Sequence, residues 1–191
     1  MKVVAFNGSP RPKGNTHRLI GIVLAELDKA GIETEEVQLG GRFIHGCVAC
    51  YRCFKARDGR CAVTDDIAND CIAKMTAADG ILLASPTYYA DVTPEIKALM
   101  DRSGLVSAAN DSLLRRKAGA AVVAVRRGGA IHALDTMNHF FLISEMIIPG
   151  SIYWNMGIGR DIGEVDGDEE GIRTMRALGE NMAWLMRRLH A

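Results

Sequence analysis

Residues 2–17 read Lys-Val-Val-Ala-Phe-Asn-Gly-Ser-Pro-Arg-Pro-Lys-Gly-Asn-Thr-His. A short apolar run breaks into a loop of small and basic residues, and a helix begins at once. That succession has the shape of a phosphate-binding strand–loop–helix. It points to a nucleotide-type cofactor, with much of the chemistry belonging to that cofactor rather than to side chains.

The rest of the chain repeats the alternation. Residues 3–6 read as a buried strand. Residues 16–30 carry Leu19, Ile20, Val23, Leu24 and Leu27 at helical spacing, and Gly31 stops that helix. Residues 34–39 alternate as a second strand. Residues 40–64 form a Gly-, Arg- and Cys-rich insert with neither period. Asp65 and Asp66 cap a helix to about Ala78, and residues 81–84 form a third strand. Thr93-Pro94-Glu95 is an N-cap followed by proline in first helical position, opening a helix to about Arg102. Residues 118–125 form a fourth strand, 131–145 a helix, 146–152 a fifth strand and 166–189 a final helix. On that last helix Met175, Leu178, Met182, Leu185 and Met186 read as core.

Strands that alternate with helices imply a parallel sheet covered on both faces. Five strands fit an α/β, flavodoxin-like, doubly wound sheet of order 2-1-3-4-5, here as a single domain over residues 1–191. Ligands in such sheets bind beyond the carboxyl ends of the strands. The loops expected there, residues 8–16, 85–92 and 126–130, share one site on this reading.

Composition narrows the function. Of 191 residues, 48% are hydrophobic but only 6% aromatic, so aliphatic residues and methionine must fill the core. Lys plus Arg and Asp plus Glu both number 23, which favours neither nucleic acid nor an anionic membrane as a partner. No apolar stretch approaches the roughly 18–20 residues of a membrane span. Met1-Lys2-Val3 leads directly into a strand, which argues against a signal peptide. A cytoplasmic protein is expected, and its five cysteines are then thiols or metal ligands rather than disulfides.

In the first loop, Ser9, Asn15 and Thr16 supply hydrogen-bonding side chains, Arg11 and Lys13 supply charge, and Gly8 and Gly14 permit close approach. The loop matches neither the Gly-Lys-Ser/Thr nor the Gly-x-Gly-x-x-Gly pattern, so a phosphomonoester without a required metal fits best. An ordinary strand–helix turn with a polar cap is the competing reading.

Gly8-Ser9-Pro10-Arg11 followed by Gly14-Asn15-Thr16 resembles the phosphate loop of the NADPH-dependent FMN reductase-like flavoproteins. Ser85-Pro86-Thr87-Tyr88-Tyr89 is similar to that family's second flavin loop, and Lys97 and Asp101-Arg102 sit where the family places Lys and Asp-Arg. The resemblance covers nearly the whole chain. It implies a flavodoxin-like fold, noncovalent FMN and a homodimer or homotetramer. It also implies that Ser9, Arg11, Asn15 and Thr16 hold the FMN phosphate, beside which Lys13 counts as a cofactor-binding residue for its charge, that Pro86, Thr87, Tyr88 and Tyr89 border the isoalloxazine ring, and that Gly128 and Gly129 complete the site. For either tyrosine, packing at a subunit interface is an equal alternative. Arg126-Arg127 departs from the small residues expected in the third loop. One of them would meet a reduced flavin or an NADPH phosphate, or form a surface salt bridge.

Cys47-Val-Ala-Cys50-Tyr-Arg-Cys53, with Cys61 after a Gly-containing loop, is the second constellation. Four thiolates from one short segment match the ligand set of a 4Fe–4S cluster, whereas zinc sites usually use two separated cysteine pairs. Arg52, Lys55, Arg57 and Arg60 would offset the cluster's charge. The segment resembles the compact motif of the iron–sulfur flavoproteins, a branch of the same family in which the cluster exchanges electrons with FMN. Two other readings stay open: cysteines that merely line the pocket mouth, and a redox dithiol of Cys50 and Cys53. Cys71 lies off the spacing and reads as a small buried hydrophobe. His45, just before the cysteines, offers a ligand or a proton donor, a role loop histidines usually do not take; His132 and His139 have no partner set for a metal, and Ser9 lacks the Gly-x-Ser-x-Gly context of a hydrolase.

The expected function is FMN-dependent electron transfer from NAD(P)H or ferredoxin to a small acceptor such as a quinone or flavin. The alternatives are an electron carrier without its own substrate, a cluster-free FMN reductase, and a non-redox phosphate-binding module.

Overall fold

The computed structural model describes residues 1–190. Its elements are β1 (Lys2–Asn7), α1 (Asn15–Lys29), β2 (Glu33–Gln38), α2 (Arg52–Ala56), α3 (Ala68–Ala77), β3 (Gly80–Pro86), α4 (Pro94–Ala109), β4 (Ala118–Val125), α5 (Ala130–Ile143), β5 (Met156–Ile158) and α6 (Glu169–Leu189), with a 3-10 turn at Glu164–Gly167. The five strands are all parallel and lie in the order β2-β1-β3-β4-β5, as the strand–helix alternation requires.

Alternate strand residues feed two cores. Val4, Phe6, Ile81, Leu83, Ala121 and Val123 face α3, α4 and α5. Val3, Ala5, Leu82, Ala84, Ala120 and Val122 face α1 and α6. Met175, Leu178, Met182 and Met186 are fully buried on α6, so that helix spends its methionines on packing. No helix among the described residues is long and apolar enough to cross a membrane.

The fifth strand differs from expectation. It spans Met156–Ile158, and residues 146–152 make only one bridge to the sheet, Ala118 with Ile147. Pro149 and Gly150 interrupt that apolar run, and proline has no N–H to offer a ladder. Two helix boundaries also move. α4 continues seven residues beyond Arg102, to Ala109. α3 starts at Ala68, although Asp66 still does the capping work, because its Oδ1 accepts the Ala68 N–H at 3.0 Å.

The first loop is set by close backbone packing. A methyl group on Gly8 would lie 2.4 Å from Ile96 Cγ1 on α4, and one on Gly40 would lie 2.3 Å from the Ser9 carbonyl carbon. The Gly40 N–H and Leu39 N–H both donate to Asn7 O at 2.9 Å. Gln38 Nε2 donates to Ser9 O at 2.6 Å and to Gly40 O at 2.8 Å. The start of the cysteine insert is thereby sewn to the loop after β1.

Gly40→Ala should therefore destabilise the chain by about 2–3 kcal/mol, because the added methyl meets backbone rather than a movable side chain. Gly21→Ala, at a helix-interior position with open space around it, should stabilise by roughly 0.5–1 kcal/mol. Urea unfolding of both variants checks the pair.

Candidate functional site: a strand-end phosphate pocket beside a cysteine insert

The loops after β1, β3, β4 and β5 meet at the carboxyl edge of the sheet around a pocket of about 160 Å³. Ser9, Arg11, Asn15 and Thr16 line one side, and Pro86, Thr87 and Tyr88 the other. Gly14 stands at the cap position of α1 and has no side chain to satisfy the first N–H groups of the helix. Those N–H groups and the positive end of the helix dipole suit an anion. Ser9 Oγ accepts the Arg11 N–H at 3.2 Å, which curls the loop around that end. Through Arg126, Gly159 and Arg160 the pocket opens into a shallow basin of about 590 Å³.

A fit for a bound phosphate compound can be read from an orphaned atom. Thr87 Oγ1 is buried and has no hydrogen-bond partner in the chain, yet Thr87 lines the pocket. An unpaired buried hydroxyl costs free energy unless a ligand or water meets it. Arg11, Arg126 and Arg160 surround the space and none forms an ion pair among the described residues. The surface salt bridge considered for Arg126 or Arg127 is thus absent there.

Other expected residues sit differently. The Asn15 side chain is already engaged, donating to Asp161 O at 3.0 Å and accepting the Gly163 N–H at 2.9 Å, so its backbone N–H is what faces a ligand. Lys13 is exposed and does not line the pocket. Tyr89 is fully exposed, because Tyr88 and Asp91 pair across a tight turn whose two central residues, Tyr89 and Ala90, have φ of 46° and 66°. Gly128 and Gly129 do not line the pocket. Gly129, at φ 89°, instead lets the third loop back onto Ala90, where a methyl would come within 2.9 Å of Cα.

Gly159 and Arg160 line the pocket although the sequence points to neither, and Arg126, one of the two arginines considered for a reduced flavin or an NADPH phosphate, lines it as well. Gly159 and Arg160 follow β5, so assigning the fifth strand to 146–152 hid the loop that carries them. A larger groove of about 550 Å³ runs between α4 and α5 past Lys97, Phe140 and Ile143. It is mostly apolar and away from the strand ends, so it has none of the phosphate-binding features.

The cysteine insert leaves the carboxyl end of β2 at the same edge of the sheet. Cys47 and Cys50 are exposed, Cys61 is half-buried, and Cys53 is buried at the start of α2. Ala49 and Tyr51 take left-handed backbone conformations, with φ of 50° and 53°, which coil the segment tightly. Among the described residues no three His, Cys, Asp or Glu side chains are gathered so as to hold a metal ion. The chemistry of the donors does suit thiolates. The Ala49 N–H donates to Cys47 Sγ at 3.4 Å, Arg102 Nε donates to Cys61 Sγ at 3.3 Å, and the backbone and side chain of Arg52 hold the Cys50 thiol below its ordinary pKa. Burial pushes Cys53 up, and the neighbouring Cys61 and Cys50 add to that. Cys71 is buried in the core, which raises its thiol to about 11 and makes it inert, as its position in the sequence indicated. Arg57 pairs with Asp111, which anchors the insert to the end of α4.

The profile of the family described as NADPH-dependent FMN reductase matches residues 1–161. The chain belongs to that family. Proteins with similar sequences include an iron–sulfur flavoprotein of Methanocaldococcus jannaschii, 37% identical over 190 residues with 96% of each chain covered. Another is an iron–sulfur flavoprotein of Methanosarcina thermophila, 35% identical over 163 residues, covering 81% of this chain and 83% of that one. Among solved structures, RosB with a bound 8-demethyl-8-formylriboflavin-5'-phosphate intermediate aligns with a TM-score of 0.76 at 20% identity, over 100% of this chain and 80% of that one. A flavodoxin from the domain Archaea aligns with a TM-score of 0.63 at 14% identity, over 98% and 99% of the two chains. These structural likenesses establish the flavodoxin-like fold, and the FMN reductase family is one of flavin-dependent oxidoreductases.

One buried ion pair joins the insert to this family fold. Arg102 of α4 and Asp66 have completely buried side chains in contact with each other. Burial works to raise the Asp66 carboxyl, but the His45 N–H, the Arg102 guanidinium and the Ala68 N–H outweigh it and hold the group below the usual carboxylate range. A carboxylate depressed in the folded state contributes stability that is complete above its unfolded pKa of about 3.9 and is lost as pH falls through the folded value. Asp66→Asn should therefore flatten the acid limb of the stability–pH curve below about pH 4, while costing about 3–5 kcal/mol at neutral pH because Arg102 is left buried and unpaired. Denaturant unfolding between pH 2 and 7 reads both effects.

Proposed function

We propose that this chain is an FMN-dependent oxidoreductase of the iron–sulfur flavoprotein type, passing electrons from NAD(P)H or ferredoxin to a small acceptor such as a quinone or free flavin. The observation that carries the reading is the strand-end pocket with its free helix N–H groups, unpaired arginines and orphaned Thr87 hydroxyl. Ser9, Arg11, Thr16 and the N–H groups at the start of α1 would hold the phosphate. Pro86, Thr87 and Tyr88 would border the ring, Pro86 keeping that loop stiff. The bound flavin supplies hydride and one-electron chemistry, so no protein acid or base is required. Protein groups contribute by orienting the ring, setting its electrostatic surroundings and limiting access.

Cys47, Cys50, Cys53 and Cys61 would hold a 4Fe–4S cluster, which supplies one-electron transfer. The N–H donors at two of these sulfurs, Cys47 and Cys61, and the names of the relatives support that part of the proposal. A cluster-free, NADPH-dependent FMN reductase is the second reading, favoured by the exposure of Cys47 and Cys50 and by the absence of a gathered metal site among the described residues. Assembly into a homodimer or homotetramer belongs to the same proposal, supported by the exposed Leu142, Ile143, Tyr153 and Trp154.

Anaerobically purified protein should be yellow-brown, with about one FMN and about four iron atoms per chain. Iron-free protein that binds FMN selects the second reading, and colourless protein that takes up no FMN overturns both. Steady NADPH oxidation with quinone or free flavin distinguishes an enzyme from a simple carrier. Arg11→Ala and Thr16→Ala should each weaken FMN binding roughly 10- to 100-fold, the effect of about 1.5–3 kcal/mol for a hydrogen bond to a charged group. Flavin fluorescence titration of the apoprotein measures it.

A further inference from the structure

Arg102 does more than pair with Asp66. Its Nε donates to Cys61 Sγ at 3.3 Å, its Nη1 to His45 O at 3.1 Å as well as to Asp66 Oδ2, and its Nη2 to Val63 O at 2.7 Å. His45 lies two residues before Cys47, and Val63 two residues after Cys61. One guanidinium therefore grips the cysteine segment at its entry, at its last sulfur and at its exit. Asp66 completes the ring by accepting the His45 N–H at 2.7 Å, so both polar groups of the His45 backbone are held by this one ion pair. Arg102 is 1% exposed, and its fork satisfies acceptors in several directions at once, a task lysine cannot perform.

We propose that Arg102 is the positioning residue of the cysteine insert, closing the segment against α4 and holding Cys61 as a ligand whose sulfur receives its Nε–H. The second half of this rests on the reading of the four cysteines as ligands of a 4Fe–4S cluster; the first half does not. One-electron reduction adds negative charge to such a cluster without making or breaking a bond, and part of that charge resides on sulfur. An N–H aimed at a ligand sulfur stabilises the reduced form and raises the reduction potential. Because Asp66 neutralises the guanidinium, this influence comes from the N–H dipole at the sulfur rather than from an uncompensated charge.

The test uses the full chain as wild type, as Arg102→Lys, and as the double variant Arg102→Met/Asp66→Asn, which leaves no stranded charge and so keeps folding possible. Circular dichroism melting confirms that each is folded. In metal-free, reduced protein, the rate of iodoacetamide modification at Cys61, mapped by mass spectrometry, should rise at least tenfold in both variants. In protein loaded with iron and sulfide, a dithionite titration followed by electron paramagnetic resonance should show a more negative cluster midpoint in both. Cys61 modification within twofold of wild type overturns the clamp. An unchanged midpoint in a loaded variant overturns the role at the sulfur and leaves Arg102 a structural group only. Wild-type protein that takes up no iron overturns the cluster reading of the function and with it the role at the sulfur, while the alkylation rates still decide the clamp.

Discussion

The Arg102–Asp66 pair is the fully buried ion pair that ties the cysteine insert to the body of the fold. Removing both charges from water is costly, and their mutual attraction offsets this only because nearly every remaining donor and acceptor is used. The surrounding acceptors are backbone carbonyls and a sulfur of the insert, so the insert itself supplies the environment that makes the pair tolerable. Removal of the pair is expected to loosen the insert at His45, Cys61 and Val63, the three points the guanidinium holds. A segment with no secondary-structure period, most of it exposed, gains a defined shape in this way.

The pocket depends on a different constraint, close backbone approach. Gly8 admits α4 and Gly40 admits the loop after β1, and both glycines lie where the strand ends crowd together. The insert leaves from Gly40, so the phosphate loop and the cysteine segment share a boundary. Thr93, whose N–H donates to Ser85 Oγ at the end of β3, starts α4, and α4 carries Arg102. The second flavin-type loop thus leads directly into the helix that carries the cysteine clamp.

Much of this was legible in the residues. The strand–helix alternation, the glycines and hydroxyls of the first loop and the Thr-Pro helix start are local signals, and local signals survive tertiary context when several agree. Sheet order and most of the pocket followed from them. The fifth strand was misplaced because its apolar residues are fewer than those of the preceding run, where Pro149 and Gly150 prevent pairing; the loop with Gly159 and Arg160 was lost with it. The sequence reads Asp66 as a cap; Ile67 takes the cap position, one Asp66 oxygen accepts the N–H of the first helical residue, and the other belongs to a contact 36 residues away that no periodicity announces. Charged residues are ordinarily exposed, so a fully buried arginine is among the hardest features to see in a single sequence. Tyr89 was harder to place: its neighbours define a loop, but only the left-handed turn shows the ring fully exposed and outside the pocket lining, where the alternative of packing at a subunit interface also puts it.

The position of Arg102 on α4 makes the helix a ruler. Pro94 and Arg102 are eight residues apart, which at about 1.5 Å per residue is roughly 12 Å of helix axis. Each residue also turns the helix by about 100°, so one residue added or removed between them would swing the guanidinium to another face while leaving the pocket end unchanged. Substitutions along this stretch can be absorbed by repacking, but changes in its length cannot. The spacing between the second loop and Arg102 is therefore a fixed dimension of the molecule, set by helical phase as much as by distance.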